Sequence, residues 1–258
     1  MKMIKKLLNN ILFFKMILFA VAFSVLFFWI RNNNILPLSA ITGTSPTSTA
    51  SLYSIIGIFY SIVTGFIVQN QWNIWDKLIE ACNAEISNFR QLNLLIHHFP
   101  EPFPTKINGQ IKRYLRLLVN EFWKDKDIGV RTEELKNSLT DLEDTLFYAS
   151  EEVPKLNFVT LSLLNEIVKN RELRLHYSSR HLPTLIRFFV MYMTFTMIGL
   201  SLFIAVNNIW YDYIFTISVA TLCFNLFLIV DDLEHPYRPG TWHVSMKEYV
   251  KLLEEMEK

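Results

Sequence analysis

Chemistry needs side chains of the right type at the right spacing, and this sequence offers few such groupings. His97 and His98 are adjacent, so on a helix they point to different faces and read as a solvated helix end rather than a metal site. Asp231, Asp232, Glu234, His235, Pro236 and Tyr237 form a denser cluster. It is either a charged stop after an apolar helix or a structural or ion-related site. The seven glycines are not grouped, so no loop cradles phosphate, and neither an HExxH helix nor a nucleophile elbow is present. Cys82 and Cys223 lie in different kinds of segment, which argues against a disulfide framework, and zinc-type spacing is absent. The expectation is a protein that is not an enzyme, with no cofactor and no metal.

A different pattern stands out in an apolar segment near residue 60. Ile58, Ile62 and Phe66 recur every four residues and form one stripe on a helix. Gly57, Ser61 and Gly65 form a second stripe one residue to the side. Small residues at this spacing let helices approach closely in lipid. Two readings stand: plain packing within one monomer, or several copies packed through the small stripe around a passage lined by the apolar one.

The elements that must position these stripes follow from composition. Of 258 residues, 51% are hydrophobic and 19% charged, and the apolar content is concentrated in four blocks, 12–30, 52–68, 188–206 and 213–230. Each is close to the roughly 20 residues that cross a hydrocarbon core of about 30 Å. Only Lys15 falls inside a block, near enough to its end to snorkel. The basic start of the chain and the run Leu38-Ser39-Ala40 would also suit a cleaved signal peptide. The first apolar run is too long for that and reads as a retained helix. Lys2, Lys5, Lys6, Lys77, Arg180, Arg187 and Arg238 all fall on one side of a four-span arrangement, which puts both termini and the middle section in the cytosol. A net charge of +1 gives no reason to expect nucleic acid.

The middle section reads as helices broken by proline. The second block continues without a breaker through Trp72, Trp75, Leu78 and Phe89 toward Pro100. After Pro100, Pro102 and Pro104, the positions Ile107, Ile111, Leu115, Leu118 and Phe122 predict an amphipathic helix. Gly129 closes the next turn, and Leu135, Leu139, Leu142 and Leu146 repeat the pattern. A last helix covers 156–179. The fold class is therefore all-α. Residues 1–50 form the first span and an external loop, 51–71 the second span and 72–183 a cytosolic helical domain. Residues 184–230 form a transmembrane hairpin and 231–258 a cytosolic C-terminal segment.

From residue 52 to about 249 the chain resembles the bacterial bestrophin-like membrane family, related to the bestrophin channels. The likeness rests on Gly57–Phe66 with Trp72 and Trp75, and on Phe99-Pro100-Glu101-Pro102 followed by Tyr114-Leu115. It also rests on Leu164-Asn165 with Arg171, Arg174 and Leu182-Pro183, and on Asp232, His235-Pro236-Tyr237 and Gly240. The resemblance implies a homopentameric ion channel in the bacterial inner membrane, with inorganic ions, lipid and further copies of the chain as its partners. It assigns Ile58, Ile62 and Phe66 to a hydrophobic neck. Animal members carry an acidic calcium clasp where this chain has Arg238-Pro239-Gly240-Thr241-Trp242, without a carboxylate. The alternative is a membrane-anchored interaction or sensory module without conductance.

Overall fold

The computed structural model describes residues 2–33, 46–124, 133–204, 208–238 and 240–257. Among them are eight helices: α1 (Lys2–Asn32), α2 (Pro46–Ile96), α3 (Phe103–Lys124), α4 (Glu133–Glu152), α5 (Pro154–Ser178), α6 (Thr184–Phe203), α7 (Ile209–Glu234) and α8 (Lys247–Glu257). No strand occurs among the described residues, so the all-α expectation holds. The expected turn at Gly129 and the run Leu38-Ser39-Ala40 lie outside the described residues, as does the end of the third block at Val206.

The helix boundaries follow local chemistry. No proline interrupts the 51 residues of α2, which at 1.5 Å per residue span about 76 Å. α3 begins beside Pro104, which sits in the first turn, where its missing N–H is no loss. The Phe103 N–H donates to the Pro100 carbonyl at 3.1 Å. α5 likewise starts on Pro154. α4 opens with Glu133 and Glu134, whose charges suit the positive end of the helix dipole. Four helices hold segments long and apolar enough to cross a membrane: Phe14–Asn32, Ser48–Ile96, Thr184–Phe203 and Ile209–Glu234. The mean hydropathy of their richest stretches runs from 1.7 to 2.2.

The described residues divide into two compact units. Unit 1 comprises those within Met1–Trp72, His181–Glu234 and Pro239–Trp242. Its core gathers Phe23, Phe27, Tyr60, Met197, Leu202, Ala220 and Cys223. There α1 lies on α7, with the Phe19 and Phe224 rings stacked at 4.1 Å and the Phe27 ring tilted against Tyr213 at 5.5 Å. At one end of this pair the Arg31 guanidinium meets the buried Asp212 carboxylate at 2.7 Å. A charge pair inside such an apolar unit is tolerated only when each member satisfies the other.

Unit 2 comprises the described residues of Asn73–Arg180, His235–Arg238 and His243–Lys258. Its core is built from the stripes read in the sequence: Ile107, Ile111, Leu115 and Leu118 of α3 are fully buried, as are Leu135, Leu142 and Leu146 of α4. Phe122 belongs to the same stripe by spacing, but its side chain lies outside the described residues. α4 packs on α3 and α5, and α8 packs on α3. Tyr249, Leu252 and Met256 give α8 its buried face.

Candidate functional site

Within unit 1, α2 has two contrasting faces. One carries Tyr60 and Thr64, both buried. The Tyr60 hydroxyl donates to the Cys223 carbonyl of α7 at 3.4 Å and lies 3.1 Å from Thr194 Oγ1 of α6. Thr64 donates to the Tyr60 carbonyl at 2.6 Å. A helix turns about 100° per residue, so Ile62 lies about 200° from both Tyr60 and Thr64, on the far side. That far face is bare. Ile58 is 58% exposed, Ile62 51% and Phe66 74%.

The small-residue stripe splits. A Cβ built on Gly57 would meet the Met197 side chain of α6 at 3.4 Å, so Gly57 serves close packing inside the protomer. Gly65 has nothing within 4 Å, and Ser61 is exposed, donating to the Ile58 carbonyl at 2.9 Å.

The cluster at the end of α7 and just beyond it is engaged in packing and capping. Asp232 Oδ2 accepts the backbone N–H groups of Thr241 at 2.8 Å and Trp242 at 3.2 Å. Gly240 is the residue that makes this approach possible, because any side chain there would overlap the Asp232 carboxylate. Glu234 is buried and accepts from Arg187 at 2.8 Å. Pro236 takes the Val244 N–H on its carbonyl at 2.7 Å. Tyr237 is buried in the core of unit 2, where burial pushes its phenol up to about 12 despite the opposing pull of Arg174. Asp231 is exposed and His235 half-buried. Among the described residues no three His, Cys, Asp or Glu side chains gather to hold a metal ion. Cys82 and Cys223 are both buried free thiols.

One constellation went unread in the sequence. In unit 2, Glu85 of α2 is wholly buried and accepts from three other helices. Its donors are Tyr114 of α3 at 2.7 Å, Arg174 Nε of α5 at 2.7 Å and Tyr249 of α8 at 2.6 Å. Burial pulls the Arg174 guanidinium down, but the Glu85 carboxylate together with Tyr249, Tyr114 and Tyr237 outweighs it and holds the group above its usual range. Burial and the same carboxylate raise the phenols of Tyr114 and Tyr249. The available signal was positional: Glu85 occupies the stripe of Leu78, Cys82, Phe89 and Leu92, where a lone charge must find a partner.

The described residues are all helical or irregular, with four helices long and apolar enough to cross a membrane and a bare apolar stripe on the second, the make-up of a membrane protein. Its sequence matches the family model of the Bestrophin-like domain over residues 9–246, and the chain belongs to that family. No curated protein matches it by sequence. Solved structures share the fold at low identity. A bacterial bestrophin homologue from Klebsiella pneumoniae, as a point variant, aligns with a TM-score of 0.69 at 13% identity, covering 95% of this chain and 98% of the other. A second variant of that homologue gives 0.68 at 12% identity, covering 96% and 98%.

Proposed function

We propose that this protein is a bestrophin-like ion channel: a homo-oligomer, by family analogy a pentamer, that conducts ions passively through a central passage lined by α2. The observation that carries the reading is the stripe of Ile58, Ile62 and Phe66. It is bare on the face of α2 opposite to the one buried on α6 and α7. Stacked rings of such residues hold water poorly and impose a dewetting barrier, a gate that needs no moving charge. In this reading α1, the apolar part of α2, α6 and α7 cross the bacterial inner membrane. Unit 2 and both ends of the chain lie in the cytosol. Gly65, with nothing of its own protomer within 4 Å, supports the approach of a neighbouring copy in this reading. The carboxylates beside the last span hold backbone and Arg187, and the proposed channel operates without calcium at that point.

Purified protein in planar bilayers tests the proposal. Wild type should carry current, and Phe66→Ala and Ile62→Ala should fold normally and carry more, because a wider neck wets. If the stripe were instead part of a packed core, truncation would leave a cavity and cost on the order of 2–5 kcal/mol, giving unstable protein without current. A second reading, a membrane-anchored interaction module, draws on the exposed Phe147, Tyr148 and Phe158 of unit 2. Monomeric protein without conductance would favour it.

A further inference from the structure

The turn that follows α7 does more than end a span. Asp232 Oδ2 gathers the N–H groups of Thr241 and Trp242 onto one oxygen, and the absent side chain of Gly240 leaves room for that oxygen. This fixes the backbone of Trp242. The indole of Trp242 in turn meets Trp72 of α2 edge to face, with ring centroids 6.2 Å apart and an interplanar angle of 80°. Trp72 lies six residues beyond Phe66, less than two helical turns from the last of the proposed neck positions. Next to it Gln71 is buried, so this stretch of α2 is held from one side.

We infer that Asp232 is a positioning residue for α2: its carboxylate folds the 240–242 turn so that Trp242 bears on Trp72, and that contact sets where α2 stands just beyond the neck. The chemistry is that of a permanent clasp. Two backbone N–H groups hold the carboxylate in place, so the constraint on α2 is built into the fold. The consequence for conduction rests on the channel reading; the positioning itself does not.

The test pairs spectroscopy with current, on full-length protein. Two indoles at this distance couple in the near-ultraviolet, and Trp242→Phe defines the circular-dichroism component that belongs to the pair. Asp232→Ala and Gly240→Ala should lose the same component. Asp232→Asn, which keeps an acceptor oxygen, should retain most of it. In bilayers Asp232→Ala and Trp242→Phe should shift open probability in the same direction. The shift should be about 2- to 30-fold, as for residues that act through a shared contact. Should Asp232→Ala fail to fold, Trp242→Leu removes the ring and leaves the turn intact, and must give the same shift in current. An Asp232→Ala protein that keeps the paired-indole component overturns the positioning role. Loss of that component with unchanged wild-type-like current overturns its bearing on the neck. Wild type without any current overturns the channel reading and that bearing together, while the spectroscopic arm still decides the positioning role.

Discussion

At the scale of single residues, the most consequential side chain is Glu85. Its carboxylate is shared by Tyr114, Arg174 and Tyr249, and neither it nor Arg174 touches solvent. Removing one member of such a pair leaves an uncompensated buried charge, at a cost of about 3–5 kcal/mol. Glu85→Ala or Arg174→Ala should therefore destabilise the purified protein by that amount in denaturant titrations. Glu85→Met combined with Arg174→Met should be milder than either alanine variant, since no charge is then stranded. The buried phenols make a separate expectation about alkali. Tyr237 is raised from 10.0 to about 12, so the folded state holds this proton more tightly than the unfolded chain. Its contribution to stability is complete below pH 10 and is lost as pH rises from 10 toward 12. Tyr114 and Tyr249 act in the same sense. Unfolding followed by far-ultraviolet circular dichroism should show stability falling across that interval, and Tyr237→Phe should flatten the fall.

At the scale of elements, α2 separates two roles that its sequence spacing had merged. Gly57 abuts Met197 of α6, whereas Gly65 faces open space. Gly57→Leu should lower protomer stability by about 1–3 kcal/mol, as overpacking does. Gly65→Leu should leave the protomer folded and shift the oligomer distribution seen by light scattering in detergent. The helices themselves were legible because their apolar positions repeat at three and four residues and prolines mark their starts. Leu135, Leu139, Leu142 and Leu146 landed inside as the spacing required. What spacing could not give was partner identity. Glu85 went unread although it shares a stripe with Leu78 and Phe89, because spacing does not name Arg174, 89 residues away, nor does it tell which side of Gly57 and Gly65 another helix occupies. The cluster at the end of α7 was visible as charge. That Asp232 spends its carboxylate on backbone depends on a turn whose geometry no periodicity encodes.

At the scale of the whole molecule, the distribution of lysine and arginine implies one orientation, and the buried native thiols make it testable. Cys82 and Cys223 are both shielded, so wild type should label weakly with an impermeant thiol reagent. In the proposed orientation Tyr211→Cys should label in intact cells and Lys136→Cys only after lysis, both positions being exposed. Labelling of Lys136→Cys in intact cells would reverse the topology. The order of the chain adds a matter of timing. Unit 2 takes Glu85 from α2 and Tyr249 from α8, 164 residues later, and the apolar pair α6 and α7 is synthesised between them. At roughly 5–20 residues per second, α8 leaves the ribosome on the order of 10–30 s after α2. During that wait Glu85 lacks one hydroxyl partner and the part of α3 that α8 covers stays open. Completion of unit 2 thus reports that the intervening hairpin has been made, and a nascent chain stalled before Tyr249 presents an open core to proteases.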